Sequence, residues 1–254
     1  MKVGIVGYGH VGSAMKKLFT DAYIYDKYKN IGSIKEINTC DVAFVCVPTP
    51  QNDDGSCDVS IVDEVLSLLK TNLIIIRSTV PVGYTKSKNE EHNSSIVFQP
   101  EYYGETINHP FSDLKSRRWI TLGGTDEDVE KAIEVYQTVY NSDIQICIVD
   151  SDSAELAKYM ENAFFAMKVT FCNEFYDIAK KLGVSYSKAR EAWTLDPRIG
   201  KDHTFVYKNN RGYSGSCLPK DISSIIYQAK KNDIDVTLLE SVCKKNRKYK
   251  PEVK

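Results

Sequence analysis

The stretch Gly7-Tyr8-Gly9-His10-Val11-Gly12 constrains this chain more than any other. A short apolar run, Lys2 to Val6, leads into it, and a helical pattern with Ala14, Met15, Leu18 and Phe19 leads out. A second apolar run, Ala22 to Tyr25, ends at Asp26. Strand, glycine turn, helix, strand and acidic residue, in that order, are the setting that a dinucleotide-binding turn requires. Gly7 can make the tight turn. Gly9 lets a pyrophosphate approach the helix N-terminus, where N–H groups and the helix dipole favour an anion. Gly12 lets the helix lie close on the strand, and Tyr8, His10 and Val11 complete the loop. Asp26 can accept hydrogen bonds from ribose hydroxyls, which favours NAD over NADP. Lys27 and Lys29 pull the other way, since a cation there can meet a 2′-phosphate.

The alternation continues. Val42 to Val47, Leu73 to Ile76, Ile96 to Phe98, Trp119 to Leu122 and Ile144 to Val149 read as strands; Val59 to Leu69 and Asp126 to Tyr140 read as helices. Strands alternating with helices predict a Rossmann-type doubly wound parallel sheet over residues 1–150, with binding loops at the carboxyl ends of the strands. Three such loops are rich in proline and polar residues: Pro48-Thr49-Pro50-Gln51-Asn52-Asp53-Asp54-Gly55, Ser78-Thr79-Val80-Pro81-Val82-Gly83 and Gln99-Pro100-Glu101-Tyr102-Tyr103-Gly104-Glu105. Each alone is an ordinary turn. Together they mark the cofactor edge, with Val47, Pro48, Thr49, Ser78 and Thr79 as further cofactor contacts.

After Val149 the period changes. Asp152 with Glu155 resembles a capping box. Apolar residues then recur at three- and four-residue steps from Leu156 to Leu182, until Gly183 supplies a stop. One long helix over about 152–182 predicts an all-helical second domain over 151–254 and a homodimer interface. Lys158 and Asn162 lie one turn apart on it, projecting from one side, either as a solvated face or as a functional pair. Shorter helices are expected at Ser187 to Thr194, Asp221 to Lys231 and Val236 to Lys248. Between the first two lies Gly212-Tyr213-Ser214-Gly215-Ser216-Cys217-Leu218-Pro219-Lys220-Asp221. A thiol beside a helix N-terminus and a lysine has the environment of a thiolate nucleophile. The plainer alternative is a glycine turn with a buried cysteine.

Composition narrows the field. Of 254 residues 42% are hydrophobic and the net charge is −1, so no basic field points to nucleic acid or a membrane surface. No apolar run approaches the roughly 18 residues of a membrane span, and the chain opens directly on a strand with no signal-peptide pattern. Seven cysteines with no CxxC, and four scattered histidines, suggest neither a metal site nor a disulfide framework. A reducing cytoplasmic setting is the default.

With these motifs assembled, the chain resembles the UDP-glucose/GDP-mannose dehydrogenase family, the nucleotide-sugar 6-dehydrogenases, from residue 1 to about 247. GYGHVG, VPTPQNDDG, STVPVG, QPEYYGE, AELAKYMENA, DPRIG and SGSCLPKD match family signatures in family order. Two-domain β-hydroxyacid dehydrogenases share the first domain and a helical Lys/Asn pair but lack the cysteine motif and the VPTP loop.

The resemblance implies NAD-dependent oxidation of a nucleotide-sugar primary alcohol to the uronate, UDP-glucose first, and a place in polysaccharide biosynthesis. It implies Cys217 as nucleophile, Lys158 and Asn162 at the oxyanion, and Asp221 in the proton transfers, with Thr79 and Glu101 holding catalytic water. Glu105, Tyr102, Tyr103 and Gly215 are implied for substrate, and Lys220 for cofactor or substrate. Arg198 is implied to reach the substrate of a partner subunit. Two departures stand out. Ser214 replaces a usual glycine, which strains the loop if the position needs a positive φ. The sequence also ends where a third, UDP-binding domain is expected. Two alternatives are therefore a non-catalytic NAD-binding dimer and one half of a split dehydrogenase.

Overall fold

Apolar, β-branched runs too short for helices build strands, the central ones buried on both faces and those at the sheet edges partly exposed. In the computed structural model, which describes residues 1–103 and 113–250, seven such strands form one sheet. They are β1 (Val3–Val6), β2 (Tyr23–Tyr25), β3 (Val42–Val45), β4 (Leu73–Ile76), β5 (Ser95–Phe98), β6 (Trp119–Gly123) and β7 (Gln145–Val149). The spatial order is β2-β1-β3-β4-β5-β6-β7. Period-two alternation sorts the side chains. Ile5, Phe44, Ile75 and Val97 join one core with Met15 and Tyr136. Val45, Ile74, Ile76 and Ile96 join the other with Val62, Val65 and Leu66. The first core is covered by α1 (His10–Leu18) and α5 (Asp126–Gln137); the second is covered by α2 (Ile34–Ile37) and α3 (Ser60–Leu68).

The expected parallel sheet is parallel except at one seam. β5 and β6 pair antiparallel, through Phe98 and Gly123, and β7 then runs parallel to β6. An antiparallel neighbour is entered from the end where the previous strand leaves, so it needs no crossover helix. Two helices are also not among those expected: the one-turn α2, and α4 (Tyr84–Glu91), which no apolar period announces because its sequence, YTKSKNEE, is polar nearly all round.

Three-dimensional packing divides the chain into two compact units. Met1–Pro50 with Cys57–Lys158 forms the sheet unit; Tyr159–Lys254 forms the helical unit and takes Gln51–Ser56 with it. The division by packing falls within α6 (Ser151–Lys181). The helical unit continues with α7 (Tyr186–Trp193), α8 (Leu218–Lys231) and α9 (Thr237–Tyr249). Its core gathers Ala163, Ala166, Tyr213, Ile222 and Val242. Gly55 belongs with α8: a Cβ there would stand 2.8 Å from Ser223 Oγ. Among the described residues no helix is long and apolar enough to cross a membrane.

Candidate functional site

Strand order reverses between β2 and β3 around β1, and that reversal opens a crevice at the strands' carboxyl ends. The glycine turn sits there. Gly7 has φ +90°, and a Cβ on it would lie 2.7 Å from the Cys46 carbonyl. A Cβ on Gly12 would lie 1.9 Å from the Gly7 carbonyl, so the first turn of α1 can lie this close to the end of β1 only with glycine there. Gly9 differs: nothing stands within 4 Å of its missing Cβ. That opening faces the start of α1, which has no side-chain cap and no acidic residue in its first turn. Such an end is prepared for an anion.

Asp26 closes the turn. Its carboxylate accepts from the N–H groups of Tyr8 at 2.7 Å, Tyr28 at 3.0 Å and Lys29 at 2.9 Å. Burial pushes its pKa up, but these amides outweigh burial and hold it below the usual carboxylate value. Three of about four acceptor positions are then filled, leaving room on Oδ2 for a hydroxyl. The two lysines that argued for a 2′-phosphate are engaged elsewhere. Lys27 pairs with Glu64 at 2.5 Å, and Lys29 donates to the Tyr8 carbonyl at 2.6 Å. An apolar pocket beside Asp26, lined by Tyr25, Tyr28, Pro48, Ile61, Val65 and Leu68, has the flat, greasy walls that an adenine ring needs. These residues fit a bound NAD.

The other strand-end loops converge on the same edge. Ser78 donates to the Val47 carbonyl at 2.6 Å, tying the end of β4 to that of β3, and Thr49 is buried beside them. The Thr79 carbonyl accepts from Cys57 Sγ at 3.5 Å. After β5, Tyr103 packs its ring 4.6 Å from that of His10, and Lys158 Nζ stands 5.2 Å from the centre of the Tyr102 ring. Glu101 is already engaged. Its carboxylate pairs with Arg77, lies 3.5 Å from Arg117 Nη2 and accepts from the Tyr103 N–H. Burial and the like charge of Arg77 push Arg117 down to about 10. This buried ion group was missed in the sequence. Its signal was Arg77 itself, a charge directly after the apolar strand Leu73-Ile74-Ile75-Ile76.

Glu155 was misread as well. The first turn of α6 is capped by Asp150, which accepts from the Ser153 N–H at 2.8 Å, so Asp152 and Glu155 form no capping box. Glu155 is fully buried instead and caps a different helix. Its two oxygens accept from the N–H groups of Gly83 at 2.7 Å and Thr85 at 2.9 Å, at the start of α4. Those bonds lower its pKa, but burial wins and pushes it up to about 7.

The helical unit carries the cysteine. α8 begins at Leu218, three residues before the expected start, with Pro219 in its first turn and the exposed Cys217 at its N-cap. Asn162 Nδ2 donates to Asp221 Oδ2 at 2.5 Å, and Lys220 Nζ pairs with Asp221 Oδ1 at 2.5 Å. Asp221 and Asn162 are buried, and Lys220 is part-buried beside Asp221 in the first turn of the helix. Gly215 has φ +90° and needs to be glycine; Ser214 is not among the residues with positive φ, so the serine brings no strain. Arg198 is exposed and paired with Asp196 at 2.6 Å. Glu105 lies outside the described residues. Among the described residues no group of His, Cys, Asp or Glu could hold a metal, and no disulfide links the seven cysteines.

The candidates thus fall into two groups. The sheet unit holds the glycine turn, Thr79, Glu101, Tyr102, Tyr103 and Lys158; the helical unit holds Asn162, Cys217, Lys220 and Asp221. Residues 14–144 match the NAD-binding domain of the UDP-glucose/GDP-mannose dehydrogenase family, and residues 152–248 match its central domain. The chain belongs to this family. A UDP-glucose 6-dehydrogenase of Rickettsia bellii is 30% identical over 247 residues, covering 92% of this chain and 55% of that protein. The chain spans about half the length of most curated relatives it matches. Among solved structures, a UDP-glucose dehydrogenase of Pyrobaculum islandicum superposes with a TM-score of 0.84 at 24% identity, over 97% of this chain and 68% of the other. A 3-hydroxyisobutyrate dehydrogenase of Mycobacterium tuberculosis superposes at 0.73 and 16% identity, over 99% of this chain and 94% of the other. Both are likenesses of fold.

Proposed function

We propose that this family member oxidises the primary alcohol of a nucleotide sugar to a carboxylate using two NAD, with Cys217 as covalent nucleophile and UDP-glucose as the first substrate to test. The observation that carries the reading is the exposed cysteine at the N-cap of α8 beside the hydrogen-bonded Asn162–Asp221–Lys220 chain. Bound NAD supplies the hydride acceptor for both oxidations. Asp221, through water, takes the proton of the alcohol as its carbon loses the first hydride. The Cys217 thiolate adds to the resulting aldehyde carbon. Lys158 and Asn162 face the oxygen that becomes negative, and a proton from Lys158 completes the thiohemiacetal. Loss of a second hydride from the same carbon, with the hydroxyl proton passing to the base, leaves a thioester on Cys217. Water adds to it, the C–S bond breaks, and the uronate and thiolate separate. Thr79 is assigned to that water. Glu101 is assigned to the same water, and its pairing with Arg77 and Arg117 holds it at the loop of Tyr102 and Tyr103. Tyr102, Tyr103, Glu105 and Gly215 contact the substrate, and Lys220 the cofactor or substrate.

The same reading includes a homodimer, to which Arg198 contributes across the interface, and a cytoplasmic supply of uronate for polysaccharide biosynthesis. The test is NADH formation with a panel of UDP- and GDP-sugars. Cys217→Ser should abolish uronate formation and leave NAD binding within about twofold. Uronate made at the unchanged rate by that variant rules Cys217 out as nucleophile. NADH from none of the sugars points instead to a non-catalytic NAD-binding module or to one half of a split dehydrogenase.

A further inference from the structure

The loop that carries Cys217 departs from two buried asparagines, Asn173 on α6 and Asn246 on α9. Asn246 presents both ends of its amide to one residue. Its Oδ1 accepts from the Tyr213 N–H at 2.8 Å, and its Nδ2 donates to the Tyr213 carbonyl at 3.0 Å. That is the exchange one strand residue makes with another, here supplied by a side chain. Asn173 holds the step before. Its Oδ1 accepts from Arg211 Nε at 2.5 Å and from the Gly212 N–H at 3.3 Å, while its Nδ2 donates to the Val169 carbonyl at 2.8 Å. The reciprocal partners leave neither amide any other orientation.

Gly212, between the two clamps, has φ +71°, and a Cβ there would stand 2.4 Å from Asn246 Oδ1. The Arg211 guanidinium stacks against Tyr176 and Tyr249, 4.6 and 4.7 Å from their centres. Residues 211–213 are therefore fixed in backbone and side chain, and the thiol follows four residues later. Burying an amide is costly unless its groups are paired, and an apolar side chain would fill the same volume more cheaply. What the amide adds is a defined place for the Tyr213 backbone.

We propose that Asn246 is a positioning residue for the chemistry: by clamping Tyr213 it sets where Cys217 Sγ stands at the N-cap of α8, with Asn173 fixing the step before. This rests on the reading of Cys217 as nucleophile. The test is alkylation of Cys217 by iodoacetamide across pH in the full chain, read by mass spectrometry of its peptide, beside NADH kinetics and thermal melting. Asn246→Ala removes both hydrogen bonds. Asn246→Asp is isosteric, keeps the acceptor and sets a carboxylate against the Tyr213 carbonyl. Each should shift the midpoint of the alkylation profile by about 0.5 pH unit, the size of one helix-terminus interaction. Each should also lower kcat about tenfold while the KM for NAD stays within about twofold.

A folded Asn246→Asp variant with the wild-type alkylation profile and kcat overturns the proposal, and that variant carries the test if Asn246→Ala does not fold. The two readings fail separately. Uronate formation by Cys217→Ser removes the catalytic role of the thiol, whereas alkylation needs no turnover and still reports whether Asn246 places it.

Discussion

At the scale of single residues, two glycines of one turn make opposite predictions. Gly12→Ala drives a methyl group to 1.9 Å from the Gly7 carbonyl and has to push α1 off the sheet. A loss of about 2 kcal/mol in unfolding free energy is expected, the usual cost of overpacking. Gly9→Ala meets open space. It should leave stability within about 0.5 kcal/mol but weaken NAD binding about tenfold, because the methyl occupies the approach to the helix N-terminus. Denaturant melts and a fluorescence titration with NADH separate the two; equal stabilities would contradict the packing role given to Gly12. These roles were legible in the sequence because the glycine spacing is itself a backbone requirement. The partners of Glu101 and Glu155 were not, since neither Arg77 nor the amides of Gly83 and Thr85 stand at a helical or strand spacing from them.

Glu155 also makes stability depend on pH. Its folded value, about 7, lies above the ordinary 4.5, so the folded state holds the proton more tightly. The stabilisation is complete below pH 4.5 and is lost as pH rises through about 7. The full span corresponds to about 3 kcal/mol. Glu155→Gln should flatten that part of the profile; an unchanged slope between pH 5 and 7.5 in the variant would show that another group titrates there.

At the scale of elements, periodicity found most helices and strands, but it was silent on α4. That helix has no apolar face and is held at its start by Glu155 from another element. The sheet's antiparallel seam was equally illegible, because a strand's direction leaves no mark on its own composition. α6 was the clearest element, and its outer face raises a question. Met160, Phe164, Phe171, Phe175, Ile178 and Leu182 are large, apolar and exposed, Leu182 by 71%. Beside them a groove of about 390 Å³ is lined by Phe171, Phe175, Ile178, Leu182, Val184 and Trp193. Apolar patches of this kind mark interfaces. The proposed dimer should bury them, so Phe171→Glu with Phe175→Glu should convert it to monomer in sedimentation equilibrium while its circular dichroism stays that of the folded chain. A monomeric wild-type chain, or a double variant that still pairs, contradicts the assignment.

At the scale of the molecule, family membership and cofactor chemistry follow from the sheet unit, while the covalent step is argued from the helical unit. Cys217, Asn162, Lys220 and Asp221 were named through the family resemblance, and the last three are hydrogen-bonded neighbours. What no spacing could reveal is that Asn162 reaches Asp221 across 59 positions. In the proposed reaction Cys217 captures the aldehyde left by the first oxidation and holds the sugar carbon through the second. The direct measurement is the yield of NADH per nucleotide sugar consumed, followed to completion with the carboxylate product quantified. Two NADH and one uronate per sugar are expected, with no aldehyde released. One NADH per sugar with free aldehyde accumulating would contradict it.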